Sequence, residues 1–127
     1  MTSRIILAAL FLAMAITPAT AGTVNYEHTW PAFTCDCEPG TEITYTVSYH
    51  EVGAAPGDTT HVGSRSSDGR TDYTSPGFAL TTGHEYAVTV WGLAVLPDGT
   101  ELRDHCTDIV IVPGFGNNGC ECKRVHP

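Results

Sequence analysis

Positive charge is scarce in this chain: six Lys and Arg stand against 14 Asp and Glu, for a formal net charge of −8 in 127 residues. A nucleic acid or an anionic bilayer would meet long-range repulsion, so neither is an expected partner. After Ile16 no apolar run approaches the roughly 20 residues that a membrane-spanning helix needs, and no membrane insertion is expected. Catalytic signatures are missing as well. There is no Gly-x-Ser-x-Gly elbow, no phosphate-binding glycine loop and no His-Glu-x-x-His helix. His50-Glu51, His84-Glu85 and Asp104-His105 are neighbours in sequence, but neighbours on a strand point to opposite faces and form no dyad. Asp98 and Glu101 read as a solvated turn. The expectation is a protein that is not an enzyme and carries no cofactor.

The N-terminal stretch reads as an export signal. Arg4 precedes the apolar run Ile5 to Ile16, and Ala19-Thr20-Ala21 forms a small-x-small cleavage site before Gly22. Residues 1–21 are therefore expected to be removed, and the remainder to be secreted, either extracellular or periplasmic. Loss of Arg4 makes the exported chain one unit more negative than the −8 of the full sequence. The carboxylates are scattered through loops, as expected of a solubilising surface.

From Gly22 onward the chain reads as short strands separated by turns, with no helical candidate of useful length. Val24, Tyr26, His28 and Trp30 alternate with polar residues up to Pro31, which cannot donate to a ladder. Ile43, Tyr45, Val47 and Tyr49 repeat the pattern before the turn cluster Gly53 to Asp58. Thr59 to Arg65 reads as an edge strand, Thr71 to Thr74 as a weak one, and Phe78 and Leu80 return to the core. Leu80-Thr-Thr-Gly83-His-Glu-Tyr86 then has the form of a tyrosine corner, with Tyr86, Val88 and Val90 on one face. Pro97-Asp98-Gly99 is a turn, and Leu102 to Val112 is a last strand. Such spacing predicts an all-β sandwich or barrel.

Trp30-Pro31, Tyr45-x-Val47-x-Tyr49 and Leu80-x-x-Gly83-x-x-Tyr86-x-Val88-x-Val90 together resemble a fibronectin type III domain over about Val24 to Val112. The resemblance implies an Ig-like sandwich of two antiparallel sheets at 22–113, followed by a Cys-containing tail at 114–127. It implies a core built on Trp30, Tyr45, Val47, Leu80, Tyr86, Val88 and Val90. Family members carry a first strand, strand A, before the tryptophan; here too few residues precede Trp30, so strand A is missing or replaced. The tail folding back, a strand from a second copy, or a strand from another protein would each cover the gap. The resemblance also places Pro31 to Gly40 and Leu96 to Asp104 at one pole, making Phe33, Leu96 and Leu102 the candidate binding surface. Tyr73 and Trp91 are candidate stacking platforms for a glycan, with core packing the favoured use of Trp91.

Five cysteines, an odd number, are more than such a domain needs. In an exported protein disulfides are the expected state, each worth about 2–4 kcal/mol. The implied fold puts Cys106 near the Pro31 to Gly40 loop, favouring a bond to Cys35 or Cys37, with Cys120 and Cys122 unassigned. A bond within either Cys-x-Cys pair is disfavoured by strain. Cys35, Cys37, Cys120 and Cys122 are the alternative, a soft-metal site, although structural zinc pairs favour wider spacing. The functional expectation is a secreted binding module for an extracellular protein or glycan. The alternative is a structural subunit, a homo-oligomer formed by strand exchange or through the unpaired cysteine.

Overall fold

The computed structural model describes residues 22–55, 57–113, 120–121 and 123–127. The export-signal reading of 1–21 and the fifth cysteine, Cys122, lie outside the described residues. Within them the chain is all-β, with no helix. The strands in order are β1 (Thr23–Tyr26), β2 (Thr29–Pro31), β3 (Thr34–Cys35), β4 (Ile43–Glu51), β5 (Thr60–Ser66), β6 (Asp72–Thr74), β7 (Phe78–Thr81), β8 (Glu85–Val95), β9 (Glu101–Ile111) and β10 (Arg124–Val125).

One layer is the antiparallel sheet β5-β4-β8-β9, and the other is made of the antiparallel pairs β1-β7 and β2-β6. The two pairs form one kinked ladder. Pro76-Gly77 interrupts the β6–β7 side, and at the break His28 N–H donates to Ser75 Oγ at 3.0 Å while Ser75 N–H donates to the His28 carbonyl at 2.8 Å. The predicted face of Val24, Tyr26, His28 and Trp30 is the face that turns inward, as period-2 geometry requires.

Between the layers, Trp30, Tyr45, Val47, Tyr73, Leu80, Tyr86, Val88, Val90 and Val110 pack as one buried cluster. Tyr45 is its aromatic hub: Trp30, Phe33 and Tyr73 lie with ring centroids 5.5, 5.2 and 4.9 Å from its own. Phe33 reaches this position because residue 92, in mid-strand of β8, is glycine. A Cβ on Gly92 would come within 2.5 Å of the Phe33 ring, closer than real atoms approach.

The tyrosine corner is present in full. Gly83 closes the turn at φ 83°, and the Tyr86 hydroxyl accepts a hydrogen bond from Thr81 N–H at 3.0 Å. Tyr45 and Tyr73 repeat the device, accepting from Phe33 N–H at 2.9 Å and from Asp68 N–H at 3.0 Å.

The tail comes back across the sandwich. Cys120 is buried beside His28, at the kink between β1 and β2. Further on, β10 runs parallel to β3, and His126 exchanges backbone hydrogen bonds with Arg103 of β9 at 2.7 and 3.0 Å. The described tail thus fills the space between β9 and β3. Val125 enters the core, 2% exposed.

Two outcomes are expected. Tyr86→Phe leaves Thr81 N–H without its acceptor and lowers stability by about 1–2 kcal/mol in urea unfolding. Deleting Lys123–Pro127 removes β10 and the Val125 side chain and costs about 2–3 kcal/mol; an unchanged urea midpoint would show that β10 contributes nothing.

Candidate recognition face and buried polar cluster

Strand parity decides what the outer face of the four-stranded sheet displays. With Tyr86, Val88 and Val90 turned inward, Ala87, Thr89, Trp91 and Leu93 must turn outward. Trp91 is 47% exposed, a large apolar side chain left in solvent near the middle of the sheet. Its ring stacks on His105 of β9, directly across the ladder, with centroids 4.6 Å apart and planes 27° from parallel. The expectation of Trp91 as core is therefore corrected.

Around this pair the face is rich in hydroxyls. Thr46 lies beside Ser64 of β5 at 3.2 Å, and Thr89 beside Thr107 at 2.9 Å. Thr44, Thr46, Trp91, Gly92, Leu93 and Arg103 line a shallow depression of about 290 Å³. Arg103 supplies a cation there, paired with Glu101. The arrangement offers a flat apolar ring flanked by hydrogen-bonding groups, which suits an amphipathic ligand with one apolar face.

The predicted binding residues are placed differently. Phe33 and Leu102 are 4% and 6% exposed and belong to the core, while Leu96 is partly buried against it. Tyr73 is buried beneath Arg65, whose guanidinium carbon lies 4.9 Å from its ring centroid. The pole is arranged otherwise as well. β10 stands between β3 and β9 and links the Pro31 to Gly40 loop to the Leu96 to Asp104 segment: it pairs with β3, and Arg124 N–H donates to Asp104 Oδ2 at 3.3 Å. The Pro31 to Gly40 loop also bounds a cleft of about 470 Å³ shared with the Ser67–Arg70 turn.

The cysteines also pair differently from the expectation. The bonds are Cys35–Cys37 and Cys106–Cys120, with Cα separations of 5.3 and 5.1 Å. Cys106 is not at the pole. It lies in mid-strand, inward and opposite Val90, and bonds Cys120 of the tail. The disfavoured bond within a Cys-x-Cys pair is thus the one present at Cys35 and Cys37. Of the four candidate metal-ligating cysteines, Cys35 and Cys37 are bonded to each other and Cys120 to Cys106, while Cys122 lies outside the described residues.

A second polar constellation lies inside the sandwich. Asp108 sits in the inward phase of β9, 1% exposed, and His28, 3% exposed, faces it from the kink between β1 and β2. His28 Nε2 is 3.0 Å from Asp108 Oδ2, yet the direction of approach is poor and Nε2 has no well-aligned hydrogen bond. On the other side of the ring, Nδ1 shares a hydrogen bond of 2.7 Å with the Tyr26 hydroxyl, its direction set by the tautomer of the ring. Cys120 Sγ completes the group: it and single ligand atoms of His28 and Asp108 all lie within 4.8 Å of one another.

Burial pushes His28 below the ordinary histidine range, outweighing the opposing pull of the Asp108 carboxylate. Burial, followed by the Asp108 charge, pushes the Tyr26 phenol up. Both groups are therefore held neutral around pH 7. A sequence signal for this cluster existed: Asp108 shares the parity of Cys106 and Val110, which puts a carboxylate on the apolar face of the last strand.

No family model, curated protein or solved structure matches the chain.

The depressed His28 value carries a pH dependence with a definite sign. Below pH about 6.5 the unfolded chain takes up a proton that the folded chain still refuses, so this group's contribution to stability falls as pH is lowered from there. His28→Gln is expected to flatten the loss of stability between pH 6.5 and 5, measured by urea unfolding. An unaltered slope would show that His28 is not the group responsible.

Proposed function

We propose that this protein is an exported, non-catalytic recognition module that binds a glycan on the outer face of its four-stranded sheet. The observation that carries the reading is Trp91, nearly half exposed and held flat against His105 at the centre of a hydroxyl-rich surface. A pyranose ring has an apolar face of C–H groups and a rim of hydroxyls. It can stack on the indole while Thr44, Thr46 and Arg103 meet its rim.

Export is favoured by the N-terminal signal pattern and by two disulfides, which persist in oxidising compartments. The fibronectin type III resemblance supports a recognition role by analogy. The kinked β1-β2/β6-β7 ladder facing β5-β4-β8-β9 is the layering such a domain would have without its first strand.

A second reading rests on a different observation. Val52, Ile109 and Ile111 are 44%, 39% and 45% exposed toward one end of the same sheet, an apolar strip beside the long edge strand β9. Self-association through that strip would make the protein a structural subunit rather than a receptor.

A glycan array with the wild-type protein, followed by titration of the best hit, separates the readings. Trp91→Ala is expected to weaken binding by about tenfold or more while leaving the urea midpoint unchanged. Absence of any glycan signal, together with concentration-dependent dimers abolished by Ile109→Lys, would replace the recognition reading with the structural one.

A further inference from the structure

The buried cluster of His28, Asp108 and Cys120 has the composition of a metal site, and the Cys106–Cys120 bond supplies a second sulfur to it. We propose that opening this disulfide with a dithiol reductant creates a tetrahedral site for a zinc-class divalent cation, with Cys106 Sγ, Cys120 Sγ, His28 Nε2 and one Asp108 carboxylate oxygen as ligands.

Three features of the structure converge on this. The first is distance. Zinc holds nitrogen and oxygen at about 2.0–2.2 Å and sulfur at about 2.3 Å, so its tetrahedral ligands lie about 3.3–3.8 Å apart. The ligand atoms of His28, Asp108 and Cys120 already lie within 4.8 Å of one another and need only a small inward adjustment, and Cys106 Sγ starts bonded to Cys120 Sγ and moves in when that bond opens. The second is His28 Nε2, deeply buried, facing the carboxylate, and lacking a well-aligned hydrogen bond. Buried polar atoms are ordinarily satisfied, and a cation in the cluster would satisfy this one. The third is the other side of the ring. With the metal on Nε2 the ring proton sits on Nδ1 and is donated to the Tyr26 hydroxyl oxygen, the outer contact that metal-binding histidines characteristically have.

The scaffold is also suited to the task. Cys106 and Asp108 are two residues apart on the inward face of β9, so both project into the same space from a rigid strand. His28 comes from the opposite layer, and Cys120 from the tail.

The chemistry balances. The S–S bond of Cys106–Cys120 breaks as the reductant's two thiols form a disulfide, and two electrons and two protons pass to the two cysteine sulfurs. The divalent cation then displaces both protons. The disulfide carries no charge, and two thiolates with a +2 ion also sum to zero, so metal for disulfide adds no net buried charge. Either staple would tie the tail to β9, the disulfide in oxidising surroundings and the cation in reducing ones.

This site differs from a four-cysteine arrangement and is tested apart from it. The full exported chain carrying Cys35→Ser, Cys37→Ser and Cys122→Ser retains Cys106 and Cys120 alone. It is reduced with dithiothreitol, desalted without oxygen and titrated with Co²⁺. The expected result is one ion per chain, with a thiolate-to-cobalt charge-transfer band and intense tetrahedral ligand-field bands. The oxidised protein should give neither. His28→Gln and Asp108→Asn should each weaken binding by about tenfold or more and alter the ligand-field bands. Zn²⁺ should raise the melting temperature of the reduced triple variant and leave that of the oxidised one unchanged. Failure of the reduced, folded protein to bind Co²⁺ would overturn the proposal. So would binding indifferent to both substitutions, or a reduced chain that unfolds and is not restored by Zn²⁺.

Discussion

The fold depends above all on tyrosine side chains that are apolar along the ring and polar at the tip. Tyr45 joins Trp30, Phe33 and Tyr73 in the inter-sheet core, and its hydroxyl holds the backbone of the loop after β2. Tyr73 does the same for the turn after β5, and Tyr86 for the turn before β8. A small sandwich has a thin core and long connections, so a residue that fills the first and satisfies backbone donors in the second addresses both problems. Burial keeps the Tyr45 phenol protonated by pushing its pKa up, although the Phe33 N–H pulls the other way.

The tail addresses a different constraint. The kinked ladder β1-β2/β6-β7 is narrower than the four-stranded sheet it covers, so the inward side of β9 has less sheet above it. The tail takes up part of that space: Cys120 bonds Cys106 at mid-strand, and β10 joins β3 to β9 through hydrogen bonds at the pole. The polar cluster of Tyr26, His28 and Asp108 lies along this join. A buried carboxylate is expensive unless compensated, and here an imidazole is brought to it from the opposite layer. The outer face is free of these demands, and parity places Trp91 and His105 together there.

Sequence by itself determined the elements and the faces. Alternation in Ile43–Glu51 and Glu85–Val95, the turn at Gly83 and the stop signals at Pro31 and Pro97 act over a few residues, and local backbone geometry turns them directly into strands and corners. The same parity places Trp91 outward and Asp108 inward, a signal that the expectation of Trp91 as core passed over. Only the tertiary structure decided the cysteine pairing, the depth of Phe33 and Leu102, and the meeting of His28 with Asp108. Each of these depends on how far along a strand a residue sits when a distant segment crosses it. Cys106 lies mid-strand rather than at the pole, and β10 inserts between β3 and β9. Such distances are set by the packing of one layer on the other, which no local pattern encodes.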